Sequence, residues 1–101
     1  PSKYKDAQVE ILGVPSTARQ LTAGSASSNT ALTTTVQRIS IRASGADIRF
    51  SIGTGTQTAN GNTSPFIANG ERLDFAVPVG ANIAVIRDGT VNGTLELTEL
   101  I

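Results

Sequence analysis

The residues that could do chemistry in this chain are few, and their spacing decides what they can do. Two pairs of carboxylates sit close in sequence, Glu71 with Asp74 and Glu96 with Glu99. A glycosidase needs two acids roughly 5–10 Å apart across a cleft. On a strand these pairs fall on opposite faces, so each side chain reads as a solvated strand charge. Gly53 to Ser64, GTGTQTANGNTS, is rich enough in glycine to suggest a phosphate cradle. A P-loop, however, requires a Lys beside its last glycine and a helix behind it. This stretch has neither and runs into Pro65, so it reads as a mobile surface loop. There is no His and no Cys. That removes imidazole bases, thiol nucleophiles, disulfides and zinc sites of the usual kind. Lys3 and Lys5 are conceivable bases for a Ser or Thr, but they lie at the extreme N-terminus. No catalytic site, metal site or cofactor site assembles, and an enzyme is not expected.

Binding chemistry is better represented. The stretch Arg38 to Gly53, RISIRASGADIRFSIG, has the pattern of a hairpin with Ser44-Gly45-Ala46-Asp47 as its loop. That register sets Ile39, Ile41 and Ala43 against Ile52, Phe50 and Ile48. On the other face Ser40 meets Ser51, and Arg42 lies directly opposite Arg49. Like charges paired across strands cost some tenths of a kcal/mol, up to about 1. Two readings follow for Arg38, Arg42 and Arg49 on this shared face. Neighbouring strands supply carboxylates, with Asp74 or Glu96 as candidates, or the patch meets acidic groups of a partner protein, where the Arg fork binds bidentately. The segment Pro1 to Asp6, PSKYKD, carries the one aromatic expected to be exposed, Tyr4, between Lys3 and Lys5. It reads as an extended arm lying on a protein neighbour. Nucleic-acid binding is not expected, because Phe50, Phe66 and Phe75 all fall on core faces and no aromatic platform remains.

The elements that hold these residues are strands. From Ala7 the chain alternates with period two, Val9 and Ile11 with Gln8 and Glu10, and Gly13 and Pro15 close that strand. A short strand follows near Ala18 to Thr22, then a small polar loop at Gly24 to Asn29. Leu32 to Ala43 is Thr-rich and β-branched. Asn69-Gly70 lies between alternating apolar residues, a strong hairpin signal; its register pairs Ala68 with Glu71 and Phe66 with Leu73. In Asn82 to Arg87, Ile83 and Val85 share one face and Ala84 and Ile86 the other. A strand apolar on both faces is covered on both. It is either central in a sandwich or packed on another subunit, which makes Ile83 and Val85 interface candidates. Asp88-Gly89 and Asn92-Gly93 precede a last strand ending near Leu100. About eight short strands with regular turns predict an all-β fold: a single antiparallel β-sandwich over residues 7–101, jelly-roll-like, behind the arm 1–6.

One hundred and one residues make one domain. The formal net charge is zero, so no global field favours nucleic acid. No apolar run is long enough for a membrane span, and no charged-then-apolar leader opens the chain. Pro1 and the absence of Met fit removal of an initiator Met, hence a soluble, cytoplasmically made protein. Asn62-Thr63-Ser64 and Asn92-Gly93-Thr94 match the glycosylation acceptor pattern, without a secretory context to give them weight.

The segment FIANGERLDFAVPVGANIAVIRDGTVNGTLELTEL, Phe66 to Leu100, resembles the C-terminal half of small virion proteins of tailed bacteriophages, through ANGERLDFAVP, GANIAVIR and the closing GTLELTEL. The Thr-rich run and RISIRASG resemble their N-terminal half more loosely. The resemblance implies a compact β-sandwich or jelly roll acting as a capsid decoration or cement protein. Such a protein bridges major capsid protein subunits on the outer surface of the head, as a homo-oligomer with a trimer favoured. It implies further that the arm reaches a neighbour and that the strand around Ile83 and Val85 buries a subunit interface. Alternatives are a neck, tail or fibre-attachment component, and a small ligand- or carbohydrate-binding β-sandwich module.

Overall fold

The computed structural model describes residues 13–101. The arm 1–6, with Lys3, Tyr4 and Lys5, and the strand expected around Val9 and Ile11 lie outside the described residues. Eight strands follow: β1 (Pro15–Ala23), β2 (Ser28–Ala31), β3 (Arg38–Ser44), β4 (Ile48–Thr54), β5 (Phe66–Ile67), β6 (Arg72–Ala76), β7 (Ala81–Arg87) and β8 (Gly93–Leu100). They form two antiparallel four-stranded sheets, β1-β8-β3-β6 and β2-β7-β4-β5. The first strand pairs with the last, the second with the seventh, the third with the sixth and the fourth with the fifth. That is one long hairpin rolled into two layers, the jelly roll.

Period two builds the layers. Ile39, Ile41 and Ala43 of β3 and Leu95 and Leu97 of β8 point inward from the first sheet. Ile48 and Phe50 of β4 and Ile83 and Val85 of β7 point inward from the second, and all of these are buried. Phe50 and Phe75 meet across the layers, ring centroids 5.6 Å apart. Ile83 and Val85 are therefore core residues of a single chain and fully buried. The expectation that they face a partner gives way, because the opposite sheet already covers them.

Both expected hairpins are arches instead. β3 lies in one sheet and β4 in the other, so Arg42 does not oppose Arg49; Arg49 pairs with Phe66 and Ile86. At Asn69-Gly70 the Ala68 carbonyl does accept the Glu71 N–H at 2.9 Å, so the turn is where the sequence puts it. Only Gly70 takes a positive φ, at 86°, and Asn69 does not, which is the type II pattern and not the primed turn of a two-stranded ribbon. Phe66 pairs with Arg49 in the second sheet and Leu73 with Ile41 in the first. Phe66 is accordingly 42 % exposed rather than core.

The outward face of β7 is covered by the chain's own loop. Ala84 lies between Asn29 and Ser51 in register and is fully buried. Gln57 bonds to both flanking residues: its backbone N–H donates to Asn29 Oδ1 at 2.9 Å, and Ser51 Oγ donates to its Oε1 at 2.8 Å. The Gln57 amide presses on Gly53, where a Cβ would stand 2.8 Å from Nε2. Ala59, buried, donates its N–H to Ser27 Oγ at 2.8 Å. The loop expected to be mobile is fastened over the second sheet along its length. The segment read as a loop at Gly24 to Asn29 contributes the first residues of β2.

Because Ile83 is core within one chain, Ile83→Ala lowers unfolding free energy by about 2–5 kcal/mol. Urea titrations at several protein concentrations check this: the midpoint falls by the same amount at every concentration. A shift that appears only in dilute samples would restore Ile83 to a subunit interface.

Candidate functional site

The outer face of the first sheet carries most of the exposed charge, and the phase of its ladders decides which charges meet. Ala43 N–H donates to the Glu71 carbonyl, and Val77 N–H to the Gln37 carbonyl. Odd-numbered residues of β3 therefore exchange hydrogen bonds with β6, and even-numbered ones with β8. In an antiparallel ladder the non-hydrogen-bonded pair brings its side chains closer. Arg42 is paired in register with both Arg72 and Glu96. The close partner is Arg72, and Glu96 stands on the wider, hydrogen-bonded side. Glu96 in turn has Gln20 of β1 as its close neighbour, and Gln20 Nε2 donates to Glu96 Oε1 at 2.9 Å. Arg72 turns along the face and donates from Nη1 to Ser40 Oγ at 2.9 Å. Arg42 is exposed and makes no side-chain hydrogen bond or ion pair with any described residue. Arg38 lies on the same face, half-buried, between Leu100 and Ala76.

Arg49 is elsewhere, on the outer face of the other sheet. Its Nε donates to Asp88 Oδ1 at 2.8 Å, its Nη1 to the Ser64 carbonyl at 2.9 Å, and its guanidinium lies 5.1 Å from the Phe66 ring centroid. It fastens the end of the long loop and the β7–β8 turn to β4. Nearby, the loops at one end of the sandwich border a cleft of about 310 Å³ lined by Gly45, Asp47, Asn69, Asp88, Thr90 and Val91. Its two carboxylates brace loops: Asp47 Oδ1 accepts the Asn69 N–H at 2.8 Å, and Asp88 accepts from Arg49. Among the described residues no group of three Asp or Glu side chains converges.

At the opposite end a carboxylate is buried between the layers. Glu99 continues the inward face of Leu95 and Leu97 and is fully buried. Its Oε2 accepts from Arg19 Nε at 3.1 Å and from the Thr33 N–H at 2.9 Å, and its Oε1 from Thr33 Oγ1 at 2.7 Å. Burial pushes the Glu99 carboxyl upward, but the Thr33 backbone and hydroxyl bonds and the Arg19 charge outweigh it and hold it below its ordinary value of 4.5. Thr33 follows β2, so the cluster ties the connection leaving the second sheet onto β1 and β8 of the first. Glu99 is thus not the solvated strand charge expected of it. The signal was present: Leu95, Leu97 and Glu99 are consecutive same-face positions.

The structure keeps Arg38 and Arg42 together and adds Arg72, which sequence reasoning missed because β6 was assigned to Phe66 rather than to β3. It separates Arg49 from them and removes Ile83 and Val85 from the surface. Of the carboxylates expected near the arginines, Asp74 faces Ser40 and Glu96 is engaged by Gln20. Comparison with protein-family profiles, curated proteins and solved structures finds no match to this chain.

The lowered acidity of Glu99 has a definite sign. Its contribution to stability is complete above the unfolded value and is lost as pH falls through the depressed folded value. Glu99→Ala should cost about 2–4 kcal/mol at neutral pH, leaving Arg19 and Thr33 unpaired. Denaturant midpoints recorded from neutral to acid pH should fall more steeply below about 4.5 in the parent chain than in Glu99→Gln. Parallel acid limbs would mean that another group governs acid unfolding.

Proposed function

We propose that this chain is a non-enzymatic structural protein of a bacteriophage virion, a decoration or cement protein that bridges major capsid protein subunits on the outside of the head. The observation that carries the reading is the Arg42–Arg72 pair, close in register on the outer face of the first sheet, with Arg42 exposed and bonded to no described residue. The other short-range ionic contacts among the described residues, Arg19–Glu99 and Arg49–Asp88, fasten the chain to itself. Among the described residues Arg42 is the guanidinium that makes no hydrogen bond or ion pair, and its close neighbour in register is a second arginine, Arg72. A carboxylate from outside would relieve that repulsion and accept a bidentate fork. The jelly-roll topology and the resemblance of Phe66 to Leu100 to small virion proteins support the same reading. A cement protein touches several shell subunits at once, so modest contacts add through effective concentration, and binding only the assembled lattice favours the closed shell by mass action. A homo-oligomer, with a trimer favoured, belongs to this proposal, with the arm 1–6 reaching a neighbour.

Counting copies in purified virions tests the location: a number comparable to the major shell protein supports decoration, and a handful per particle moves the chain to the neck or tail. The interface has its own test. Arg42→Ala should leave unfolding stability within about 0.5 kcal/mol of the parent, since the exposed residue removed is bonded to no described residue. The same change should weaken attachment to the particle at least tenfold, the loss of about 1.4 kcal/mol or more per site. Undiminished attachment would exclude this face from the contact.

A further inference from the structure

Three Asn-Gly sequences lie in the described residues, Asn60-Gly61, Asn69-Gly70 and Asn92-Gly93, and the fold treats them very differently. In each, the glycine nitrogen could attack the preceding side-chain amide, since glycine offers the least steric resistance to the approach. At Asn69 the attacking nitrogen is taken, because Gly70 N–H donates to the Ala43 carbonyl at 2.8 Å. The Asn69 N–H is bonded as well, to Asp47 Oδ1 at 2.8 Å. At Asn92 the following Gly93 is the buried first residue of β8, paired with Ala23, and a Cβ there would stand 3.1 Å from the Ala46 Cβ. Gly93 is thus held in the β8–β1 pairing, which opposes the backbone rotation needed to bring its nitrogen onto Asn92 Cγ.

Asn60-Gly61 has neither protection. The Gly61 nitrogen makes no hydrogen bond to a described residue, and Asn60 is exposed. Its Oδ1 accepts the Asn62 N–H at 2.8 Å and the Thr63 N–H at 3.2 Å, as Asn69 Oδ1 accepts from Gly45 and Asn92 Oδ1 from Arg87, so what sets this site apart is its glycine nitrogen. Two backbone donors on a carbonyl oxygen are what stabilises the charge of a tetrahedral intermediate.

We infer that Asn60 is a self-modification site, the place where this chain deamidates in its folded state. Hydroxide removes the Gly61 amide proton, and that nitrogen forms a bond to Asn60 Cγ. The negative charge rests on Oδ1 under the Asn62 and Thr63 N–H groups. Water then gives a proton to Nδ2, regenerating the hydroxide, the Cγ–Nδ2 bond breaks as the oxyanion re-forms the carbonyl, Nδ2 leaves as ammonia, and a succinimide remains. Water opens the ring at either carbonyl, giving aspartate or isoaspartate. No oxidant or metal is required. The isoaspartate product lengthens the main chain within the turn where Asn60 N–H donates to Ser64 Oγ and Ser64 N–H to the Asn60 carbonyl. Because Ser64 is also gripped by Arg49, the change loosens the end of the loop that covers Ala84.

The test is incubation of the full folded chain at a series of mildly alkaline pH values, followed by fragmentation mass spectrometry of its peptides. The expected result is conversion of amide to acid at Asn60 well ahead of Asn69 and Asn92, with a rate rising about tenfold per pH unit, as hydroxide catalysis requires. In denaturant the three sites should react at similar rates. Gly61→Ala provides the control: Gly61 has no positive φ, and its added Cβ would meet only the Arg87 carbonyl, at 3.8 Å. That variant should fold as the parent does and convert several-fold more slowly. Conversion at Asn69 or Asn92 as fast as at Asn60 in the folded chain, or no effect of Gly61→Ala, would overturn the assignment.

Discussion

Each of the two sheets has one face too apolar to stand in water, and the main cover available to either is the other. At about 25 cal/mol per Å² of apolar surface, the inward rows of Ile39, Ile41, Leu95 and Leu97 on one side and Ile48, Phe50, Ile83 and Val85 on the other are the dominant favourable term. Satisfying both faces with one short chain requires successive strands to keep changing layers. That is why the turns at Gly45 and Gly70 are arches, and why only β4 and β5 follow one another within a sheet. The exception has its own consequence. The chain between β4 and β5 must travel back along the outside of the second sheet, and in doing so it covers Ala84 through Gln57.

The same pleat that buries the core also arranges the charges. Once Ile39 and Ile41 point inward, Arg38, Ser40 and Arg42 must point outward, and the ladder phase fixed by Ala43 N–H sets Arg42 beside Arg72. Glu96 falls beside Gln20 for the same reason. Charge on this face is therefore a by-product of register, and the Arg42–Arg72 pair follows from it. At the ends of the sandwich, where sheets give way to loops, ionic contacts do a different job. Glu99 with Arg19 and Thr33 closes one end, and Arg49 with Asp88 and Ser64 braces the other. Both join segments distant in sequence.

Alternation was enough to read the fold class, the positions of most strands and the buried rows, because a period of two is visible in residues such as Ile39 and Ile41. The two-sided apolar strand was readable as covered on both faces, but not whether its own chain or another subunit covered it. Pairing was not. Ser44 to Asp47 and Ala68 to Glu71 say where the chain reverses, but a reversal within a sheet and a reversal between sheets use similar residues. The missing information is which partner covers which face, and that is settled by strands far away in sequence. Asn69 at negative φ is the local trace of the difference, invisible without coordinates. Glu99 was misread because its charge outweighed its position. Arg72 went unnoticed because its strand had been given to the wrong neighbour, and the docking of the long loop because the bonds that fasten it to the sheet run to Ser27, Asn29 and Ser51 outside it.

Everything rests on β3 lying beside β6 and not beside β4, and the absence of native cysteine makes that directly testable. Ser40 and Asp74 form a non-hydrogen-bonded pair across β3 and β6, the geometry whose short Cα separation suits a disulfide. Ser40 and Ser51, which would face each other if β3 and β4 were a hairpin, point away from opposite sides of the sandwich. Oxidation of the double variant Ser40→Cys, Asp74→Cys should close an intramolecular disulfide in the folded chain, and oxidation of Ser40→Cys, Ser51→Cys should not. Closure of the second pair and not the first would contradict the layered arrangement, and with it the Arg42–Arg72 face.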